Sequence, residues 1–182
     1  MKRQEMIEKR TANRKVFQNE DHSITTEIYL DSVHYEEEDG TWKEMDDALE
    51  EEKGQKEKFY TNRKGKLKIH FRNKTKEQKT IVMTKGESRI SWGLEGCRTV
   101  TGEKTSNTCL RYSGVGEDVD LCLYVKGEKV KENLLLKKRA PEAPKFSFLY
   151  QMKKLKPVLL EKCVSFVDEQ GEEIFIVSAP YM

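Results

Sequence analysis

Three histidines, four cysteines and two runs of carboxylates are the residues whose types could carry catalysis or hold a metal. The histidines are His22, His34 and His70, and no two stand in an H-x-x-x-H or H-E-x-x-H spacing, the arrangement that aims two imidazoles at one ion. They read as solvent-facing residues of a charged segment and of two β segments. Cys97, Cys109, Cys122 and Cys163 have none of the C-x-x-C spacings of zinc or redox centres, so ordinary buried or half-buried thiols are expected. Cys109 and Cys122 are the pair that could oppose each other across a hairpin as a disulfide. A nucleophilic pair such as Cys163 with His70 would require the fold to bring distant residues together. Glu36-Glu37-Glu38-Asp39 and Glu50-Glu51-Glu52 are adjacent acidic runs. They read as solvated turns, whereas a glycosidase needs two carboxylates held about 5 to 9.5 Å apart across a sugar. Glu117, Asp118 and Asp120 could offer clustered oxygens to calcium, without the spacing of an EF-hand loop. Gly114-Val115-Gly116 lacks the third glycine and the following helix of a dinucleotide loop, and reads as a turn. No catalytic residue, cofactor or metal is assigned from these patterns.

The side chains that could face a ligand are aromatic: Trp42, Tyr60, Trp92 and Tyr150. Exposed on a sheet they would form a stacking platform for a carbohydrate, and on the inner face of strands they would be core. The sequence leaves both readings open.

The elements that would position these residues follow from period. Apolar and polar residues alternate in Ile24 to Asp31 and in Lys66 to Arg72, where Leu67, Ile69 and Phe71 share a face. The first stretch places Ile24, Thr26, Ile28 and Leu30 on a core face. Short strands are also expected at Val33 to Tyr35, Thr41 to Lys43, Thr80 to Thr84, Ser88 to Leu94, Thr108 to Tyr112, Val119 to Val125 and Val130 to Leu136. Four more follow at Phe146 to Met152, Lys154 to Leu159, Val164 to Asp168 and Glu173 to Val177. Tight connections rich in turn residues, such as Asp39-Gly40, Lys85-Gly86-Glu87, Lys126-Gly127-Glu128 and Asp168-Glu169-Gln170-Gly171, imply sequential antiparallel pairing. No helical apolar period is sustained, which excludes a parallel sheet with crossover helices. The expected fold is therefore all-β: about a dozen short antiparallel strands in two packed sheets. Residues 1–20 are expected to be a charged leader or linker, and 21–182 a single β domain. Asp46 to Lys58 is expected to be a solvated loop, with a helical turn or two open to Met45 to Glu52.

With 182 residues, the chain is long enough for one domain with a proper core. Its 34 Lys and Arg nearly cancel 32 Asp and Glu, so no strong field draws it to nucleic acid or anionic lipid. No apolar run reaches the ~18 residues that a membrane helix requires. The N-terminal charges are not followed by the apolar stretch of a signal peptide, so any export signal is expected outside this sequence.

One resemblance spans nearly the whole chain. Ser23-Ile24-Thr25-Thr26-Glu27-Ile28-Tyr29, Tyr35 through Asp39-Gly40-Thr41-Trp42-Lys43 with Asp46, Asp118-Val119-Asp120-Leu121 with Tyr124, and Lys131-Glu132-Asn133-Leu134-Leu135-Leu136 come in that order. Asp168 through Phe175 and the closing Ala179-Pro180-Tyr181-Met182 complete the series. In this order the motifs resemble the N-terminal β-rich region of secreted, wall-associated YD-repeat (Rhs-type) bacterial surface and toxin proteins. The resemblance implies a non-enzymatic structural or interaction module of a large secreted or cell-surface polypeptide, with neighbouring modules of the same parent as partners. It carries no catalytic residues. The four cysteines and the lack of a signal segment depart from that family's pattern. A cell-wall glycan-binding module is the alternative, and a glycoside-acting β-sandwich enzyme stands behind both.

Overall fold

A computed structural model describes residues 2–52, 57–139 and 144–180. Tyr181 and Met182 of the closing motif, and Gly54 of the expected loop, lie outside the described residues. Within them the chain is almost entirely antiparallel strand: eighteen strands in five sheets, more than the dozen in two sheets that the pattern suggested.

The excess comes first from the stretch expected to be a leader. Arg3–Glu5 (β1) pairs with Arg14–Asn19 (β2), which pairs in turn with Ile24–Ile28 (β3), and a 3-10 turn, Ile7–Lys9, follows β1. Val16 and Phe17 supply this sheet's buried residues. The expectation for β3 is inverted: Ile24 and Ile28 are exposed, Leu30 wholly so, and Thr25 and Glu27 are half-buried. Thr25 and Glu27 face their partners Phe17 and Lys15 on the other side of the pleat. Alternation identified the strand but not which face meets the protein.

His34–Glu36 (β4) and Trp42–Glu44 (β5) form the expected hairpin. Gly40 takes φ +79°, and the Asp39 carboxylate accepts from the Thr41 backbone N–H at 2.9 Å. Asp46–Glu51 (β6), expected as loop or helical turn, is a strand. Its acidic side chains concealed the pattern, yet Leu49 is 1% exposed. It edges a six-stranded sheet with Phe59–Lys64 (β7), Lys68–Arg72 (β8), Ile81–Lys85 (β9), Ser88–Leu94 (β10) and Phe148–Lys153 (β15), in spatial order β15-β10-β9-β8-β7-β6. A four-stranded sheet runs in sequence order through Gly102–Ser106 (β11), Cys109–Gly116 (β12), Val119–Lys126 (β13) and Lys129–Leu136 (β14). Lys156–Leu159 (β16), Cys163–Val167 (β17) and Glu173–Ser178 (β18) make the last sheet.

The six- and four-stranded sheets and the last sheet share one core. Ile69, Phe71, Ile81, Ile90 and Trp92 from the first pack in a single cluster with Leu110, Tyr112, Leu121 and Leu123 from the second and Phe166 and Phe175 from the third. Close backbone approach is needed at Gly93: a β-carbon there would meet the Lys76 carbonyl oxygen at 2.3 Å, so only glycine lets the Lys76–Glu77 segment lie on β10.

Candidate functional site

Tyr60, Trp92 and Tyr150, three of the four aromatics singled out from sequence, fall in one line across the six-stranded sheet. Tyr60 pairs with Phe71, Phe71 with Ile81, Ile81 with Trp92, and Trp92 with Tyr150. Because paired residues share a face, the line points as a unit, and it points inward. Trp92 is 5% exposed, and Tyr60 and Tyr150 pack against the core cluster. Trp92 therefore faces the core rather than solvent. Trp42 stands apart on the β4–β5 hairpin and is half-buried. The Trp92 and Tyr150 rings stack at 5.7 Å and 15°, and Tyr150 stacks in turn on Phe166 at 5.7 Å and 30°.

Into this column projects a carboxyl. Glu132 of β14 alternates with Val130 and Leu134, both packed on the core, and stands opposite the fully buried Leu123. It accepts the Trp92 indole N–H at 2.5 Å. Burial among the aromatics raises its pKa from 4.5 to about 7, against the opposing effect of the indole hydrogen bond. No second carboxylate among the described residues contributes to that shift. The Tyr150 hydroxyl is pushed above its usual range by burial, and further by the neighbouring Glu132 charge. Glu132 was within reach of the sequence, because the period of Val130, Glu132 and Leu134 puts all three on one face.

The opposite face of the four-stranded sheet treats a carboxylate in the reverse way. Asp120 is fully buried, which on its own would raise its pKa. Lys137 at 2.8 Å, Arg111 at 2.5 Å and the Gly114 backbone N–H at 2.7 Å outweigh burial and hold it at about 2. Both its oxygens are engaged, and Asp118 pairs with Lys138 at 2.9 Å, so the calcium cluster suggested at Glu117, Asp118 and Asp120 is not assembled. Gly114-Val115-Gly116 belongs to β12 at a register shift, with Val115 in the core.

The run Glu50-Glu51-Glu52 is ion-paired, whereas in Glu36-Glu37-Glu38-Asp39 the Asp39 carboxylate accepts from Thr41 within the turn. Glu50 meets Arg63 at 3.3 Å and Glu51 meets Lys58 at 2.6 Å. Glu52 accepts from or pairs with His70 Nδ1 at 3.2 Å, which commits that ring nitrogen. His70 is half-buried rather than solvent-facing, and burial lowers its pKa against the pull of Glu52. His22 is exposed, at a positive φ of 64°. All four cysteines are free: Cys109 pairs across the ladder with Tyr124 and Cys122 with Arg111, which sets the two thiols on a diagonal. Depressions open on the surface of the described residues. One of about 240 Å³ lies beside Cys97, Val115 and Phe146, and one of about 280 Å³ beside Arg89, Lys153 and Lys154. In the second, Lys154 is ion-paired with Glu87.

A second polar cluster sits where the N-terminal sheet meets the β4–β5 hairpin. Arg10 donates through Nε and Nη2 to the two Glu5 oxygens at 2.8 and 2.7 Å, and its Nη2 is 3.7 Å from Glu44. Lys15 pairs with Glu44. The hydrogen bond from Arg10 lowers the Glu5 pKa, and that from Lys15 lowers the Glu44 pKa, so both acids are ionised at neutral pH. His34, expected to be solvent-facing, is 1% exposed at the centre of this cluster. Glu5, Arg10 and Lys15 escaped sequence reading because they belong to a stretch too charged to resemble a folded one.

Compared with protein-family models, with curated proteins and with solved structures, the chain matches none.

Proposed function

We propose that this chain is a non-catalytic structural and interaction module of a large secreted or cell-surface polypeptide of the YD-repeat kind, with neighbouring modules of that polypeptide as its partners. The observation that carries the reading is the inward direction of the Tyr60–Trp92–Tyr150 line: the aromatics available for stacking a sugar are used to join sheets. The ion pairs of Glu50 and Glu51 and the burial of Glu132 among aromatics support it further, since these carboxylates are engaged in holding the sheets. Exposed apolar side chains on the last sheet and its loops, Val158, Leu159, Leu160 and Ile176, fit a surface met by a neighbouring module better than one left in water.

Trp42 is the remaining ring with an open side, and it makes the glycan-binding alternative testable. Tryptophan emission and acrylamide quenching of the Trp42→Phe protein, which retains Trp92 alone, should be blue-shifted and resistant to quenching. The unsubstituted protein should show an added, quenchable component from Trp42. A panel of soluble cell-wall glycans should leave both unchanged. A glycan that shifts and protects the Trp42 component would replace the scaffold reading with a carbohydrate-binding one.

A further inference from the structure

We propose that Glu5, His34 and Glu44 form a binding site for a divalent transition metal of the zinc type, which clamps the N-terminal strand β1 to the β4–β5 hairpin. The three come from separate elements. Glu5 ends β1, His34 opens β4, and Glu44 ends β5 directly opposite His34 in the hairpin ladder. One ligand atom from each lies within 4.8 Å of the others.

The imidazole is set as a metal ligand would be. Its backbone N–H is held by the Ala12 carbonyl at 3.0 Å, and its ring Nδ1 lies 2.8 Å from the Thr11 carbonyl. A carbonyl oxygen can only accept, so Nδ1 carries the hydrogen. In the neutral ring this fixes the lone pair on Nε2, the tautomer that a backbone carbonyl imposes on metal-bound histidines. Nε2 is buried and has no hydrogen-bond partner. What it faces is the Glu5 oxygen Oε1 at 3.9 Å. An acceptor is thus aimed at an acceptor with no donor between them, which is unfavourable unless an electrophile joins them. A metal ion does so with the addition of Glu44.

The surrounding cations are compatible with this role in different ways. Arg10 approaches Glu5 from the side, and each carboxylate oxygen has a second lone pair, so Arg10 can orient Glu5 while Oε1 coordinates. Lys15 competes instead: its ammonium sits on Glu44 and must swing away on its long stem. The Glu44 side chain is 52% exposed, which leaves a route from solvent and room for water as a further ligand. One imidazole with two carboxylates suits zinc, or cobalt as its spectroscopic substitute, better than calcium, which takes oxygen ligands throughout.

Calorimetry and visible absorption during Co²⁺ and Zn²⁺ titration of the chelator-treated full chain would test this. One equivalent should bind, and the Co²⁺ spectrum should lack the intense thiolate bands that binding at a cysteine would give. His34→Asn keeps an amide N–H at the Nδ1 position for Thr11 and deletes Nε2; it should weaken binding at least about tenfold. Glu44→Gln, at a half-exposed position where folding is safe, should weaken it similarly. Lys15→Gln should tighten binding several-fold, an effect that an ion pair of purely structural value would not produce. The proposal is overturned if the folded protein takes up no Co²⁺, if the bound Co²⁺ shows thiolate bands, or if Glu44→Gln and His34→Asn bind as the original does.

Discussion

The central sheets and the N-terminal assembly solve the same problem, holding short antiparallel strands together, by opposite means. In the centre, side chains from three sheets close on one apolar cluster, with Ile69, Phe71, Ile81, Leu110, Tyr112 and Leu123 shut off from water. At the N-terminus, β1 to β5 bury little beyond Val16, Phe17 and His34. There, backbone hydrogen bonds from Val33 and His34 to the Ala12 carbonyl at 2.8 and 3.0 Å dock the hairpin onto the N-terminal sheet. The Arg10–Glu5–Glu44–Lys15 network fastens it. Hydrophobic burial is non-directional and tolerant, whereas a charged network depends on each partner and on ionic strength. The two regions should therefore fail separately.

The largest effect should come from the centre. Phe71→Ala removes a ring with 0% exposure where two sheets meet, and a loss of about 3 to 5 kcal/mol in urea unfolding is expected. Native-state hydrogen exchange should rise through the six- and four-stranded sheets together. If exchange rose only near Phe71, the shared core would not be one cooperative unit.

A smaller and local effect should follow at the other end. Arg10→Met keeps the length of the buried stem but removes both hydrogen bonds to Glu5 and leaves that carboxylate among residues sheltered from water. About 2 kcal/mol of local stability should be lost, within the range for hydrogen bonds to charged groups. Amides of β1 to β5 should lose protection while those of β8 to β10 and β12 to β13 keep theirs. Equal loss everywhere would mean that the assembly folds as one with the core.

The same contrast explains what the sequence disclosed. Lys66 to Arg72, Ser88 to Leu94 and Val119 to Val125 were legible because residues that enter the core, such as Leu67, Ile69 and Phe71 or Ile90 and Trp92, recur at every second position. Gly40, Gly86, Gly127 and Gly171 marked their turns because each takes a positive φ. Arg3–Glu5, Arg14–Asn19 and Asp46–Glu51 were hidden because most of what holds them is backbone pairing and charge, which leave no apolar period. The aromatics were found by type, but their direction depended on register with strands far away in sequence, Tyr150 with Trp92 above all. His34 was placed on its strand, but its burial could not be read without knowing that residues 11 and 12 fold over it.

Acidity separates Glu132 in the centre from the acids of the N-terminal network with opposite signs. Glu5 and Glu44 have folded pKa values below the ordinary carboxylate range, so their contribution is complete above that range and is lost as pH falls through the folded values. Asp120, held at about 2, behaves in the same way on the outer face of the four-stranded sheet. Glu132 runs the other way. Its pKa rises from 4.5 to about 7 on folding, so between those values the folded state binds the extra proton, and stability falls as pH rises through that window. At about 1.4 kcal/mol per unit the ceiling is about 3 kcal/mol, and the partial exposure of the carboxyl brings the expected loss to about 2 kcal/mol. Glu132→Gln retains an oxygen to accept the Trp92 indole N–H but cannot ionise. Urea unfolding from pH 5 to pH 8 should show the original protein losing stability over this range and the Glu132→Gln protein staying level, the substituted protein being the more stable at pH 8. A parallel decline in both would show that the aromatic column does not hold Glu132 in its neutral form. The decline would then arise from groups other than Glu132.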